Sequence, residues 1–80
     1  MRLIKVQDIA NSPTGGFINV DMISHIGVSG YEIYADCLGS DHYITIYYSK
    51  NPQKIEVMLN ALQHFLLSPT LIFDVNKAGI

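Results

Sequence analysis

The chain has 80 residues, of which 49% are apolar or aromatic and only 15% are charged. Its formal net charge of −2 argues against bulk electrostatic binding to nucleic acid or to anionic lipid. A chain of this length forms one small domain, which removes only about 60% of its unfolded surface from water. Because one small core cannot hide so many apolar side chains, we expect a homo-oligomer or a protein partner.

The cysteine content and the N-terminus bear on the compartment. Cys37 is the single cysteine, which excludes an internal disulfide and fits a reducing environment. Charged residues lie near the N-terminus where a signal peptide needs an apolar run, and no stretch approaches the roughly 18 consecutive apolar residues of a membrane span. We therefore expect a cytoplasmic protein that makes no membrane contact.

The first half of the chain has the alternation typical of short strands. Strands are predicted over residues 3–9, 17–20 and 24–28. The turn formers of residues 11–16 separate the first two strands. Residues 21–23 interrupt the alternation and predict a helical turn with Asp21 as its cap. Gly27 is expected to face outward, where its missing side chain permits a bend or a close neighbour.

Gly39 and Ser40 predict a hairpin whose pairing can be counted residue by residue. Glycine at the first central position favours a two-residue type II′ turn, and the turn fixes the register of the strands beside it. Alternation then sorts the cross-strand pairs onto two faces. The predicted core face carries Ala35/Ile44, Ile33/Ile46 and Tyr31/Tyr48. The predicted outer face carries Asp36/Tyr43, Tyr34/Thr45 and Glu32/Tyr47.

Residues 51–67 predict an amphipathic helix. Asn51 is a good N-cap, Pro52 suits the first helical position, and Pro69 follows the helix end. Its apolar residues recur at helical spacing, at Ile55, Met58, Leu59, Leu62, Phe65 and Leu66. The polar side lacks the basic residues of a helix that lies on a membrane, so we expect the apolar stripe to pack against a sheet.

Together these elements predict one domain over residues 1–80, of the mainly β, α+β class. Strands and hairpins occupy residues 3–48, the helix 51–67, a possible edge strand 70–75 and a loose tail 76–80. We expect a small, strongly bent antiparallel sheet of four or five strands, or a partly open SH3- or Sm-like barrel. The C-terminal amphipathic helix closes one side of it.

The outer face of the hairpin is the candidate interaction surface. Its candidate residues are Tyr34, Tyr43, Thr45 and Tyr47. Tyrosines on a sheet can form an oligomer interface, stack on unpaired bases, or be ordinary strand residues. Because Glu32 and Asp36 lie among them and cations are few, an interface is favoured over the other two interpretations.

The sequence predicts no catalytic residue, cofactor or metal site. Cys37 opposes His42 in the predicted hairpin, but no third group would orient the imidazole, so a structural cysteine is favoured over a nucleophile. The remaining candidates for metal ligands are scattered or suit turns and caps: His25, His64, Asp21, Asp36 and Asp41. We therefore expect a protein that is not an enzyme.

The segment Ile-Asn-Val-Asp-x-Ile at residues 18–23, followed by a hairpin and a C-terminal helix, resembles the small FlbD-type proteins linked to flagellar and swarming motility. Related short phage and bacterial proteins share this layout, and the likeness covers residues 18–65. The architecture is also similar to SH3 and Sm/Lsm barrels. The Sm likeness implies rings that bind single-stranded RNA, although the Asp-x-x-Met-Asn and Arg-Gly signatures of those proteins are absent from the sequence.

These observations predict a non-catalytic interaction module that self-associates and acts as a small regulator or assembly component. The expected partners are a second copy of the chain or another protein. The alternative is an Sm/Lsm-like single-stranded RNA-binding protein, which would use the same tyrosines to stack on bases.

Overall fold

The computed structural model describes residues 1–7, 16–39 and 41–78. The strands are β1 (Leu3–Lys5), β2 (Phe17–Asn19), β3 (Ile23–Ser29), β4 (Glu32–Cys37), β5 (Tyr43–Tyr48) and β6 (Ile72–Asp74). Helix α1 (Pro52–Leu67) precedes β6, the short helix α2 (Val75–Ala78) follows it, and a 3₁₀ turn (Val20–Met22) joins β2 to β3. The prediction of an α+β domain with an amphipathic helix near its C-terminus is confirmed.

The strands form two sheets of three strands each. In the N-terminal sheet, of order β2-β1-β6, the central strand β1 is antiparallel to β2 and parallel to β6. The central sheet, of order β3-β4-β5, is an antiparallel meander. The described residues thus form six strands in two sheets, in place of the four or five antiparallel strands expected in one. The parallel pairing of β1 with β6 is one feature that the sequence pattern did not predict.

The two sheets are connected at two places. At the 3₁₀ turn the chain bends from β2 into β3, and the side-chain oxygen of Asn19 accepts a hydrogen bond of 3.0 Å from the backbone N–H of Asp21. The cap is therefore Asn19, and the prediction of Asp21 in that role is wrong. After β1, the backbone N–H of Gln7 donates to the Ile46 carbonyl (2.9 Å), while its side-chain oxygen accepts from the Tyr48 N–H (2.8 Å).

One apolar core lies between the sheets and the helices. Its fully buried large side chains come from both sheets and both helices: Ile4, Ile33, Ile46, Met58, Leu62 and Val75. The predicted stripe of α1 is confirmed, since Ile55, Met58, Leu62 and Phe65 are buried and the rest of the stripe packs partly against them. Within the described residues, no helix combines the length and apolarity required to cross a membrane.

Helix α1 begins as the sequence predicts. Pro52 occupies the first helical turn, and the side-chain oxygen of Asn51 accepts a hydrogen bond of 3.0 Å from the backbone N–H of Gln53. This bond satisfies one of the N–H groups that every helix start leaves without an intrahelical partner.

The end of α1 is held by a residue from the other end of the chain. The Arg2 guanidinium donates to the carbonyls of Phe65, Leu66 and Thr70, and it lies 4.5 Å from the centre of the Phe65 ring. A planar group with several donors suits a helix C-terminus, where consecutive carbonyls lack partners and the helix dipole attracts positive charge. Arg2 therefore fixes the start of β1 against α1.

The residues after α1 are part of the folded domain. Strand β6 is an edge strand of the chain's own N-terminal sheet, as expected for residues 70–75. The prediction of a loose tail is wrong for residues 76–78, because Val75 is buried and the amide nitrogen of Asn76 donates to the Val6 carbonyl (3.1 Å). Residues 79–80 lie outside the described residues, as do 8–15, which include most of the predicted loop.

Asp74 carries a perturbed carboxyl group at the end of β6. Desolvation alone would raise its pKa, but hydrogen bonds from the side chain and backbone of Asn76, with Lys5 and Lys77 nearby, outweigh that effect. The net result is a pKa below the ordinary value of 3.8. Because the carboxylate is favoured in the folded state, its contribution to stability is present above the unfolded pKa and is lost as the pH falls through the folded one.

We predict that Asp74→Asn, which keeps the acceptor oxygen but removes the charge, lowers the free energy of unfolding at neutral pH. The difference from the wild type should stay constant above pH of about 5 and shrink below pH of about 4. Urea unfolding at a series of pH values measures it, with the exposed Asp21→Asn as the matched control. A difference that is the same at pH of about 3 and about 7 would contradict this role for Asp74.

Candidate interaction surface

The hairpin register agrees with the prediction close to the turn. Asp36 pairs with Tyr43, Ala35 with Ile44, and Tyr34 with Thr45, as counted outward from Gly39. Gly39 has a φ of +78°, a left-handed conformation that glycine adopts without steric cost. Ser40 lies outside the described residues, so the predicted turn type is outside them too.

Further from the turn, the register shifts by one residue. Ile33 pairs with Tyr47, and Glu32 pairs with Tyr48. This leaves Ile46 as the extra residue of a β-bulge in β5. The predicted pairs Ile33/Ile46, Glu32/Tyr47 and Tyr31/Tyr48 are therefore wrong.

The bulge reverses the predicted positions of two tyrosines. Ile46 is fully buried and Tyr47 beside it is only 8% exposed, so two consecutive side chains of β5 enter the core. The placement of Tyr47 on the outer face is wrong. Tyr48, which is 42% exposed, lies there in its place, on the same side of the sheet as its partner Glu32.

The predicted core face is also less completely covered than expected. The two members of its pair Ala35/Ile44 differ in burial, because Ala35 is fully buried whereas Ile44 is 41% exposed. Ala35 lies on the middle strand of the sheet, while Ile44 lies on β5, which is an edge strand among the strands that the structure describes. Ile44 is thus a partial exception to the expected burial.

We call the outer side of the central sheet the tyrosine face. Its residues are His25, Glu32, Tyr34, Asp36, Tyr43, Thr45 and Tyr48. Three of the four residues predicted from the sequence lie here, and Tyr47 is the exception. His25 and Tyr48 are additions. His25 lies two residues before Gly27 on the same strand, so the two-residue period of a strand could have placed it on this face. The position of Tyr48 depends on the bulge.

Aromatic rings form a row across the three strands of this face. The ring centres of Tyr34 and Tyr43 are 5.4 Å apart with the planes inclined at 60°, and those of His25 and Tyr34 are 6.1 Å apart. Tyr34 lies directly over Gly27, since a Cβ atom on that glycine would lie 2.6 Å from the tyrosine oxygen. The expected close neighbour of Gly27 is therefore the central ring of the row.

A shallow, open hollow lies beside these rings. It has a volume of about 340 Å³ and is lined by Ser29, Glu32, Tyr34, Asp36 and Tyr43. Glu32 accepts a hydrogen bond of 3.3 Å from the Thr45 hydroxyl, which fixes one carboxylate at the edge of the hollow. Apart from the rings, the lining is polar and acidic, and none of these five residues is a lysine or an arginine.

Of the residues considered for chemistry, Asp36 and Cys37 are neighbours on β4, and His25 of β3 pairs with Asp36. Cys37 ends β4, where it pairs with Ile23 of β3 and packs partly against the core. The paired residues of β5 begin at Tyr43, so the ladder does not include the predicted Cys37/His42 pair. Among the residues that the structure describes, no group of three His, Cys, Asp or Glu side chains is arranged to hold a metal ion.

Comparisons of the chain with protein-family models, with curated proteins and with solved structures find no match. The resemblances to FlbD-type proteins and to Sm-like barrels stay predictions. The function of the tyrosine face must therefore be inferred from its geometry and charge.

We predict that Gly27→Ala displaces the Tyr34 ring with little loss of stability. The added methyl group would overlap the end of that side chain, which can rotate away, so the free energy of unfolding should change by less than about 1 kcal/mol. Proton NMR of the tyrosine rings measures the displacement, and Ser29→Ala on the same strand is the control. Unchanged Tyr34 and Tyr43 signals in Gly27→Ala would show that Tyr34 does not lie over Gly27.

Proposed function

We propose that the chain is a non-catalytic, self-associating interaction module that acts as a small cytoplasmic regulator or assembly component. The tyrosine face is its binding surface for another protein. The observation that carries this proposal is the exposure of large aromatic side chains on a domain whose core is filled without them. Tyr43 is 57% exposed and Tyr48 42%, and tyrosine is enriched at protein interfaces because its ring gives a large contact area at low entropic cost.

We assign self-association to a second surface, the outward side of the N-terminal sheet. The register pairs Leu3 with Ile72 and Lys5 with Phe17, so all four lie on the side opposite the buried Ile4. Phe17 is 56% exposed and Ile72 55%. Two copies that meet across a two-fold axis would bury Leu3, Phe17 and Ile72 on both chains at once, with Lys5 and Asp74 on the same side of the sheet.

The Sm/Lsm-like alternative has support from shape and opposition from charge. The two sheets are joined by the 3₁₀ turn and by the hydrogen bonds of Gln7 to β5. These connections support a single, partly open barrel of the SH3 or Sm kind. Single-stranded RNA would use the row of tyrosines for base stacking, but it also needs cations to contact its phosphates. Because Glu32 and Asp36 line the hollow beside those rings, we favour protein over RNA as the partner.

The experiment that tests the proposal is the mass of the protein at micromolar concentration, measured by sedimentation with and without a short oligoribonucleotide. We expect a mass above that of a monomer, unchanged by the oligonucleotide. The double variant Phe17→Ser/Ile72→Ser should sediment as a monomer, because it removes the apolar surface. Tyr43→Ala/Tyr48→Ala, the control on the opposite sheet, should keep the wild-type mass.

Two results would contradict this assignment. A wild-type protein that is monomeric at every concentration would exclude self-association. Binding of the oligonucleotide that weakens steeply with salt and is lost in Tyr43→Ala/Tyr48→Ala would favour the RNA-binding alternative.

A further inference from the structure

We infer that the hollow of the tyrosine face binds an arginine side chain presented by a partner protein. This inference rests on the proposed function and names the chemistry that the partner must supply. It follows from the inclined rings, from the charge of the lining, and from the positions of the chain's own cations.

The rings of Tyr34 and Tyr43 provide two walls of different orientation. Their centres are 5.4 Å apart and their planes are inclined at 60°. A cation is attracted to the face of an aromatic ring when it lies within about 6 Å of the ring centre. A cation in the hollow beside these packed rings can therefore lie against the face of one of them.

Two carboxylates make the hollow negatively charged. Glu32 and Asp36 lie two residues before and after Tyr34 on β4, so all three side chains project from the same side of the sheet. Both carboxylates line the hollow, and no lysine or arginine is among its named lining residues. The local field therefore attracts a cation and repels a phosphate or carboxylate.

The chain's own arginine lies elsewhere and is already engaged. The Arg2 guanidinium is bonded to carbonyls at the end of α1, and Lys5 lies beside Asp74 on the N-terminal sheet. None of the chain's five lysine and arginine residues lines the hollow, since Lys50, Lys54 and Lys77 are also absent from its lining. A cation for this site must therefore come from a second molecule.

Arginine fits this lining better than lysine does. Its guanidinium is planar, so it can stack on a tyrosine ring while its edge donates two parallel hydrogen bonds to a carboxylate. A lysine ammonium is more strongly hydrated, so it loses more hydration free energy when it leaves water. We therefore expect arginine to be preferred, with lysine second.

The test uses short acetylated and amidated Gly/Ser peptides that differ only at one central residue. That residue is arginine, lysine, the neutral arginine analogue citrulline, or glutamate. Binding is followed by NMR of the tyrosine rings during titration to millimolar peptide. We expect the arginine peptide to shift the Tyr34 and Tyr43 signals and to bind at least about ten-fold more tightly than the citrulline peptide, which corresponds to about 1.4 kcal/mol.

Matched variants locate the binding. Asp36→Asn should weaken binding of the arginine peptide about ten-fold, as expected for one lost charge-assisted hydrogen bond. Glu56→Gln removes the same charge from an exposed position on α1 and should leave the affinity unchanged. Tyr43→Ala, at an exposed site, should abolish the shifts of the Tyr34 ring.

The outcomes separate this inference from the proposed function. If the citrulline and arginine peptides bind the tyrosine face equally well, the face is a protein-binding surface but the preference for a cation is wrong. If no peptide shifts the tyrosine signals at millimolar concentration, the inference is overturned, while sedimentation still decides self-association. If Glu56→Gln weakens binding as much as Asp36→Asn does, the attraction is a general charge effect and the assignment to the hollow is wrong.

Discussion

The β-bulge at Ile46 is the constraint on which the rest of the structure depends. It allows two consecutive residues of β5, Ile46 and Tyr47, to enter the core, and it turns Tyr48 outward. A bulge leaves backbone groups without partners in the strand ladder, and buried groups of this kind are costly. Beside the bulge, Gln7 bonds the carbonyl of Ile46 and the N–H of Tyr48, one on each side of Tyr47. The same two bonds connect the central sheet to the segment that follows β1.

Core and surface are therefore coupled through one strand. The extra buried ring adds apolar area to the small core of a short chain, and it lies on the side of the central sheet that faces α1. On the opposite side, Tyr34 lies over Gly27 and beside Tyr43, so the sheet itself holds the rings of the tyrosine face. A surface held in this way needs little ordering on binding, which favours recognition by shape and charge over induced folding.

The sequence predicts the elements whose signals are local. The 3.6-residue period and the Asn51 cap define α1, and the turn at Gly39 fixes the first three pairs of the hairpin. Beyond those pairs local signals fail, because Ile46, Tyr47 and Tyr48 are all good strand residues and either register buries apolar side chains. The observed register is accompanied by hydrogen bonds to Gln7, about forty residues earlier in the chain, which no local signal contains. The same reason explains the parallel pairing of β6 with β1 and the burial of Val75, since both depend on contacts between the two ends of the chain.

The most direct test of the bulge compares alanine substitutions at the two adjacent tyrosines. In the structure Tyr47 lies in the core and Tyr48 faces solvent, so Tyr47→Ala should lower the free energy of unfolding by about 3–5 kcal/mol, as for other buried aromatic residues. Tyr48→Ala should cost less than about 1 kcal/mol. Urea unfolding of the two variants under the same conditions measures both values. Equal losses, or a larger loss for Tyr48→Ala, would mean that the hairpin keeps its regular register and that β5 has no bulge at Ile46.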